Sequence, residues 1–181
     1  KKNKLEVSYR IKAGKPYTIH HIAYHIDDLM IQDFIEKDSA SSLLKAGMPF
    51  DVVALDQERQ RITKLLQNNG YYKFNKDFIV YQADTIKDSY QVELTMKLLP
   101  FQLKKEDTPT RHQQYTIRNV NFLTEGNILQ QENSWDDYDS IQHKGLHIFY
   151  KDNLYLRPNT LANFNYIQPL EVYREQDVQN T

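Results

Sequence analysis

Cysteine is absent from the 181 residues, which excludes a disulfide framework, a thiolate metal site and a thiol nucleophile. No apolar run approaches the roughly 18 residues of a membrane span, and the lysine-rich start lacks the apolar stretch of a secretory leader. Neither sign of charge is in excess. Lys+Arg number 23 against 24 Asp+Glu, for a formal net charge of −1, so the cationic field that would hold nucleic acid or an anionic membrane is missing. Lys1, Lys2, Lys4, Lys12 and Lys15 alternate with apolar positions and read as a solvated strand face. Motifs of catalysis are also lacking: there is no G-x-S-x-G, no H-E-x-x-H, and Gly14-Lys15 has neither the further glycine nor the hydroxyl of a phosphate loop. Tryptophan occurs once, whereas 13 Tyr and 8 Phe make a heavy aromatic load. Many of the tyrosines alternate in extended segments, as half-buried sheet surfaces require. With 40% hydrophobic and 26% charged residues, the chain is an ordinary globular one, long enough for one or two compact units. Its abrupt start and end read as those of a fragment.

Along the chain, Leu5, Val7, Tyr9 and Ile11 alternate with Glu6, Ser8, Arg10 and Lys12, the period of a strand with one wet face. A second extended segment runs from Tyr17 to Ile26, and its apolar phase slips between Ile19 and Ile22 as at a bulge. Asp27 and Asp28 suit the N-cap of a short helix that buries Ile31, Phe34 and Ile35. Leu43-Leu44 follows, then Gly47. Asp51 caps the clearest helix, in which Leu55, Ile62, Leu65 and Leu66 form the apolar stripe and Gly70 fits the C′ position. Phe78 to Ala83 is a continuous apolar strand. A polar turn from Asp84 to Asp88 then leads to Tyr90, Val92, Leu94, Met96 and Leu98 in alternation, which completes a β-hairpin. The polar stretch from Gln102 to Gln114 reads as a linker. Beyond it, Tyr115 to Phe122 is extended, a polar loop runs to about Gln142, and Leu146 to Tyr150 is a short strand. Pro158 suits the first turn of a helix, and another helix begins near Tyr173.

An internal repeat organises these elements. Tyr17-Thr-Ile-His-His-Ile-Ala-Tyr24 matches Tyr115-Thr-Ile-Arg-Asn-Val-Asn-Phe122. Pro49-Phe50 with Leu55 parallels Pro169-Leu170 and Tyr173 with Val178, and the opening strand resembles the closing strand from Tyr90 to Leu99. The whole unit therefore reads strand, helix, helix, strand, strand. With Gly47 ahead of Phe50 at the start of the second helix, Leu55 within it, and Gly70-Tyr71-Tyr72 closing it, the unit resembles a POTRA domain (polypeptide-transport-associated), the signal lying mostly between Leu43 and Ile79. Tandem copies resemble the outer-membrane assembly factors of the BamA/TamA type. The expected fold is α+β: tandem β-α-α-β-β modules, each a small three-stranded mixed sheet covered on one face by two helices. Residues 1–13 are expected to be the last strand of a preceding module, 15–101 a complete module, 102–114 a linker, and 115–181 a second, C-terminally truncated module with an insertion at about 123–145.

The resemblance implies a periplasmic, non-enzymatic part of an outer-membrane protein that binds unfolded outer-membrane β-barrel proteins or accessory envelope proteins. No cofactor is implied, and membrane attachment would come only from a C-terminal β-barrel outside the fragment. An open sheet edge can pair its backbone with an extended client. In this family the edge is usually the strand after the second helix, here Phe78, Ile79, Val80, Tyr81, Gln82 and Ala83, with Val80 taken as an edge donor. The plainer alternative is a buried strand, since its apolar residues point to both faces. A second alternative makes the modules spacers or docking units of an envelope complex, of divisome or secretion type, without client contact. His20, His21 and His25 with Asp27 and Asp28 invite a zinc reading, but adjacent strand residues point to opposite faces and a cap already accounts for the aspartates. Asp136, Asp137 and Asp139 lack the glycine and the closing Glu of a calcium loop.

Overall fold

The computed structural model describes residues 7–12, 14–102, 104, 106–124 and 138–181. Its elements in chain order are β1 (Thr18–His25), α1 (Leu29–Lys37), α2 (Val52–Gln67), β2 (Ile79–Thr85), β3 (Gln91–Leu98), β4 (Val120–Leu123), β5 (Asp139–His143), β6 (Leu146–Tyr150), α3 (Pro158–Phe164) and α4 (Glu175–Asn180). They form two three-stranded mixed sheets, ordered β1-β3-β2 and β4-β6-β5.

The first module, built on the β1-β3-β2 sheet, follows its local chemistry closely. The Asp28 carboxylate accepts from the N–H groups of Met30 and Ile31, and Asp51 from that of Val53, which satisfies donors that the first turn of each helix leaves orphaned. The apolar stripes then enter one core: Ile31 and Ile35 of α1, Ile62 and Leu66 of α2, Ile79 of β2 and Met96 of β3 are all buried together. A second cluster joins Ile19, Leu44, Leu55, Val92 and Leu94. Parallel pairing of β1 with β3 shifts register between Ile19 and His21, leaving His20 unpaired, the bulge that the slipped apolar phase required. At the end of α2, Tyr71 N–H reaches Leu66 C=O at 3.1 Å and Gly70 N–H reaches Gln67 C=O at 3.4 Å. Those two bonds define a Schellman motif with Gly70 at C′, and its φ of +93° is one that a residue without Cβ adopts at little cost.

Three segments differ from their local reading. Residues 7–12 enter neither sheet, and Tyr9 and Ile11 are more than four-fifths exposed. An alternating pattern says which face a strand would bury but supplies no partner to pair with. The stretch from Gln102 to Gln114 is no free tether. Phe101 and Thr110 exchange both main-chain bonds at 2.9 Å, and His112 is buried against Phe74, Phe78 and Phe101 with its ring nitrogen 2.9 Å from Leu99 C=O. Finally, the second module carries one strand more than its residues suggested. Its β5–β6 hairpin precedes α3 and α4, so the region expected as an inserted loop, about 123–145, contributes one strand, β5, to the sheet.

The repeat is real at the level of main-chain bonds. In the first module Ile19 N–H donates to Met48 C=O, Gly47 N–H to Ile19 C=O, and Phe50 N–H to Tyr17 C=O. In the second, Ile117 donates to Glu171, Leu170 to Ile117, and Tyr173 to Tyr115. Tyr173 thus stands for Phe50 and Val178 for Leu55, as the spacing indicated. Pro49, however, corresponds to Val172, since each bridges the Thr of its Y-T-I, and not to Pro169. Leu170 occupies the place of Gly47 and shares its left-handed backbone, with φ of +66° against +88°.

Candidate functional site

β2 lies at the edge of the first sheet and pairs with β3 alone. Leu99 N–H donates to Phe78 C=O at 2.8 Å and Ile86 N–H to Gln91 C=O at 3.0 Å. In an antiparallel ladder those two bonds set the alternation: residues 80, 82 and 84 bond inward to β3, while Ile79, Tyr81, Ala83 and Thr85 turn their N–H and C=O groups to the open edge. Val80 is therefore a ladder donor, contrary to expectation. Phe78 is not in the strand; it ends a short 3-10 turn, Lys76–Phe78, and its ring packs on Phe74, Phe101 and His112.

The burial pattern decides between an edge and a buried strand. Ile79 is buried and Tyr81 half-buried, whereas Val80 and everything from Gln82 to Thr85 are exposed. The strand is anchored at its start and wet beyond. Next to the edge, Val52, Leu55, Asp56 and Arg59 of α2 face Ile79, Val80 and Tyr81 across a groove of about 430 Å³. Its rim is charged but internally paired: Lys76 Nζ donates to Asp56 at 2.9 Å, Arg59 Nε to Lys76 C=O at 3.0 Å, and an Arg59 amino group to Asp77 at 3.3 Å. The bond from Lys76 holds the half-buried Asp56 carboxyl below its ordinary range. An apolar floor with a neutralised rim suits an uncharged extended chain better than a phosphate or a metal ion.

Behind the groove sits a polar cluster that sequence reasoning missed. Glu58 is 1% exposed, and it accepts from Ser42 Oγ, Leu43 N–H and both Nε and an amino group of Arg61. Arg61 also bonds Asp38. Burial opposes the Glu58 charge, yet the bonds from Arg61, Leu43 and Ser42 outweigh it and keep the carboxyl below the usual range. The signal was visible: position 58 falls between Leu55 and Ile62 on the apolar stripe of α2, where a lone carboxylate demands a partner. The cluster ties the loop after α1 to α2. Burial, and then the Glu58 charge, raise the pKa of the Tyr81 hydroxyl.

The fold-signature residues do two jobs. Leu55 and Tyr71 are buried, and Phe50 packs on the Leu55 cluster; Gly47 and Gly70 supply positive φ. Gly70 also lies at the seam between the modules. Its C=O accepts from Tyr115 N–H at 2.8 Å, and a Cβ built on it would meet Val172 Cγ1 at 2.8 Å and Gln114 Cβ at 3.4 Å. Tyr72 stacks edge-on against Tyr115 and Tyr173, and Gln176 N–H donates to Asn68 Oδ1 at 2.8 Å. Of the groups considered for metals, His25 and Asp27 are 4.0 Å apart on the surface and Asp139 begins β5. Asp136 and Asp137 lie outside the described residues. Among the described residues no three His, Asp or Glu side chains converge on a metal position, and no helix is long and apolar enough to cross a membrane.

From β1 to β3 the chain runs strand, helix, helix, strand, strand, with a parallel outer strand and both helices on one face of a mixed sheet. That architecture is consistent with a POTRA-like module. No protein-family model matches the chain and no curated protein does. Among solved structures it is similar to Haemophilus influenzae BamA POTRA3-5, with a TM-score of 0.47 and 11% identity over 91% of this chain and 47% of that one. It is also similar to the N-terminal domain of Omp85 from the thermophilic cyanobacterium Thermosynechococcus elongatus, with a TM-score of 0.28 and 9% identity over 93% of this chain and 84% of that one. The chain thus spans about half the length of the BamA fragment.

Proposed function

We propose that this chain is a periplasmic, non-enzymatic part of an outer-membrane β-barrel assembly factor, in which POTRA-like modules bind unfolded barrel proteins or accessory envelope proteins. Residues 1–13 would close a preceding module. The observation that carries the reading is the edge position of β2, with four consecutive open-edge residues, Ile79, Tyr81, Ala83 and Thr85, beside the apolar groove of α2. An added strand pairs through main chain, so it tolerates varied client sequences while the groove takes alternate side chains.

At about 1 kcal/mol net per hydrogen bond, four to six bonds give ~4–6 kcal/mol, a dissociation constant between about millimolar and tens of micromolar. Such weak binding suits a module that passes a client onward. The test is an NMR titration with an unfolded outer-membrane β-strand peptide against the wild type and an Ala83→Pro variant, which deletes an open-edge donor and spares the β3 ladder. Shifts centred on 79–85 and lost in the folded variant support client handling. Their absence at millimolar peptide favours the spacer or docking role.

A further inference from the structure

The two sheets share a strand-order pattern but are built on opposite edges of their first strand. Along a strand, the side-chain face and the direction of the N–H and C=O groups alternate together, so residues that enter one core share one hydrogen-bonding edge. In the first module Ile19 enters the core and bonds Gly47 and Met48, while Thr18 N–H bonds Tyr90 C=O on the other side, where β3 lies. Past the bulge at His20 the apolar phase resumes at Ile22 and Tyr24. Their main-chain groups point to the Gly47 side, where among the described residues no strand covers them. The chain does not follow that edge, because Met48 N–H closes a turn on Lys45 C=O.

In the second module Ile117, Val120 and Phe122 enter the core, and Ile117 bonds Leu170 and Glu171. Spacing of three and then two marks the same bulge. Thr124, next in this alternation, donates to Phe149 C=O at 3.0 Å. β6 therefore occupies the edge shared with Leu170 and Glu171. The hairpin turn agrees: a Cβ built on Gly145 would touch Pro169 Cγ at 3.5 Å. So the edge left open at Ile22 and Tyr24 is the one that, in its own repeat, carries a parallel strand paired Val120 to Leu146 and Phe122 to Ile148.

We infer that the open edge of β1 at Ile22 and Tyr24 is a second strand-accepting site, and that its occupant is an extended peptide running parallel to β1 with apolar side chains opposite those two residues. The occupied geometry is given by β6 on β4. Tyr24, 41% exposed, would be covered as Phe122 is. This site lies at the opposite end of the sheet from β2 and holds whether or not β2 takes a client.

The test uses the whole chain and the peptide KGLHIFYK, the sequence of residues 144–151. Before peptide is added, the amides of Ile22 and Tyr24 should exchange with solvent much faster than those of His21, Ala23 and His25, which face β3. Peptide should slow Ile22 and Tyr24, and a spin label on its C-terminus should broaden His25 and Ile26 rather than Thr18, as a parallel strand requires. Tyr24→Pro should weaken binding about fivefold, the worth of one main-chain bond, whereas Ala83→Pro should leave it unchanged. Protected Ile22 and Tyr24 amides in the free chain, or peptide shifts confined to 79–85, overturn the inference. If Tyr24→Pro does not fold, the exchange and broadening data on the wild type decide.

Discussion

Replacing Gly70 by alanine tests the claim that one residue serves both the C-terminus of α2 and the junction between modules. The first cost is conformational: an L-residue held at φ near +93° loses about 1–2 kcal/mol. The second is steric. A Cβ would sit 2.8 Å from Val172 Cγ1, inside contact distance, and forced packing of this kind costs ~1–3 kcal/mol. Val172 is 43% exposed and can rotate away, so the lower end of that range applies, giving a total of about 2–3 kcal/mol. Urea unfolding of the full chain measures the sum. Residual dipolar couplings of the two modules report whether the seam opens as Val172 moves. The double variant Gly70→Ala, Val172→Ala should recover only the steric part, about 1 kcal/mol, and leave the conformational part in place. A loss below about 0.5 kcal/mol in the single variant, or full recovery in the double, would refute the division of labour.

The other predictions follow from buried polar groups and from the repeat. Glu58→Ala should destabilise the first module by about 3 kcal/mol, the low end for a broken buried pair, because Arg61 retains 17% exposure and can turn to water; chemical denaturation measures it. Since the Glu58 carboxyl is held below its ordinary 4.5, its contribution is complete above that pH and is lost as pH falls through the lowered value. Glu58→Gln should flatten that acid limb. His112 is depressed from 6.5, first by burial, against the bond to Leu99 C=O and the nearby Asp28 charge. A depressed histidine contributes stability that is complete above pH 6.5 and falls away below it, and His112→Phe should abolish the pH dependence of thermal unfolding in that window. Leu170→Gly should stabilise the second module by about 0.5–1 kcal/mol, because it relieves an L-residue at φ of +66° whose side chain is 83% exposed. No gain in denaturation midpoint would count against the left-handed assignment.

Most of the first module was legible in its residues because its determinants are local. A carboxylate two or three residues ahead of orphaned N–H groups caps a helix whatever surrounds it, as Asp28 and Asp51 do. An apolar phase slip in an extended run forces a bulge, as between Ile19 and Ile22. Glycine at the end of a stripe takes the left-handed turn, as Gly70 does. What a linear reading lacked was direction and partner. Period-two alternation is the same for a ladder donor and an open-edge donor until one bond sets the phase, so Val80 was assigned to the wrong edge and Leu99 N–H to Phe78 C=O corrects it. Polarity in the stretch from Gln102 to Gln114 hid His112, whose burial depends on three rings supplied by distant segments.

By itself, then, the sequence determined the helices, caps, bulge and hairpin of the first module, and the repeat that relates it to the second, since each depends on interactions within a few residues. Only the tertiary structure decided which edges stay open, that β6 sits on the opposite side of β4 from where β3 sits on β1, and that Gly70 closes a seam with Val172. Those outcomes rest on contacts between segments tens of residues apart, for which neighbouring side chains carry no local preference.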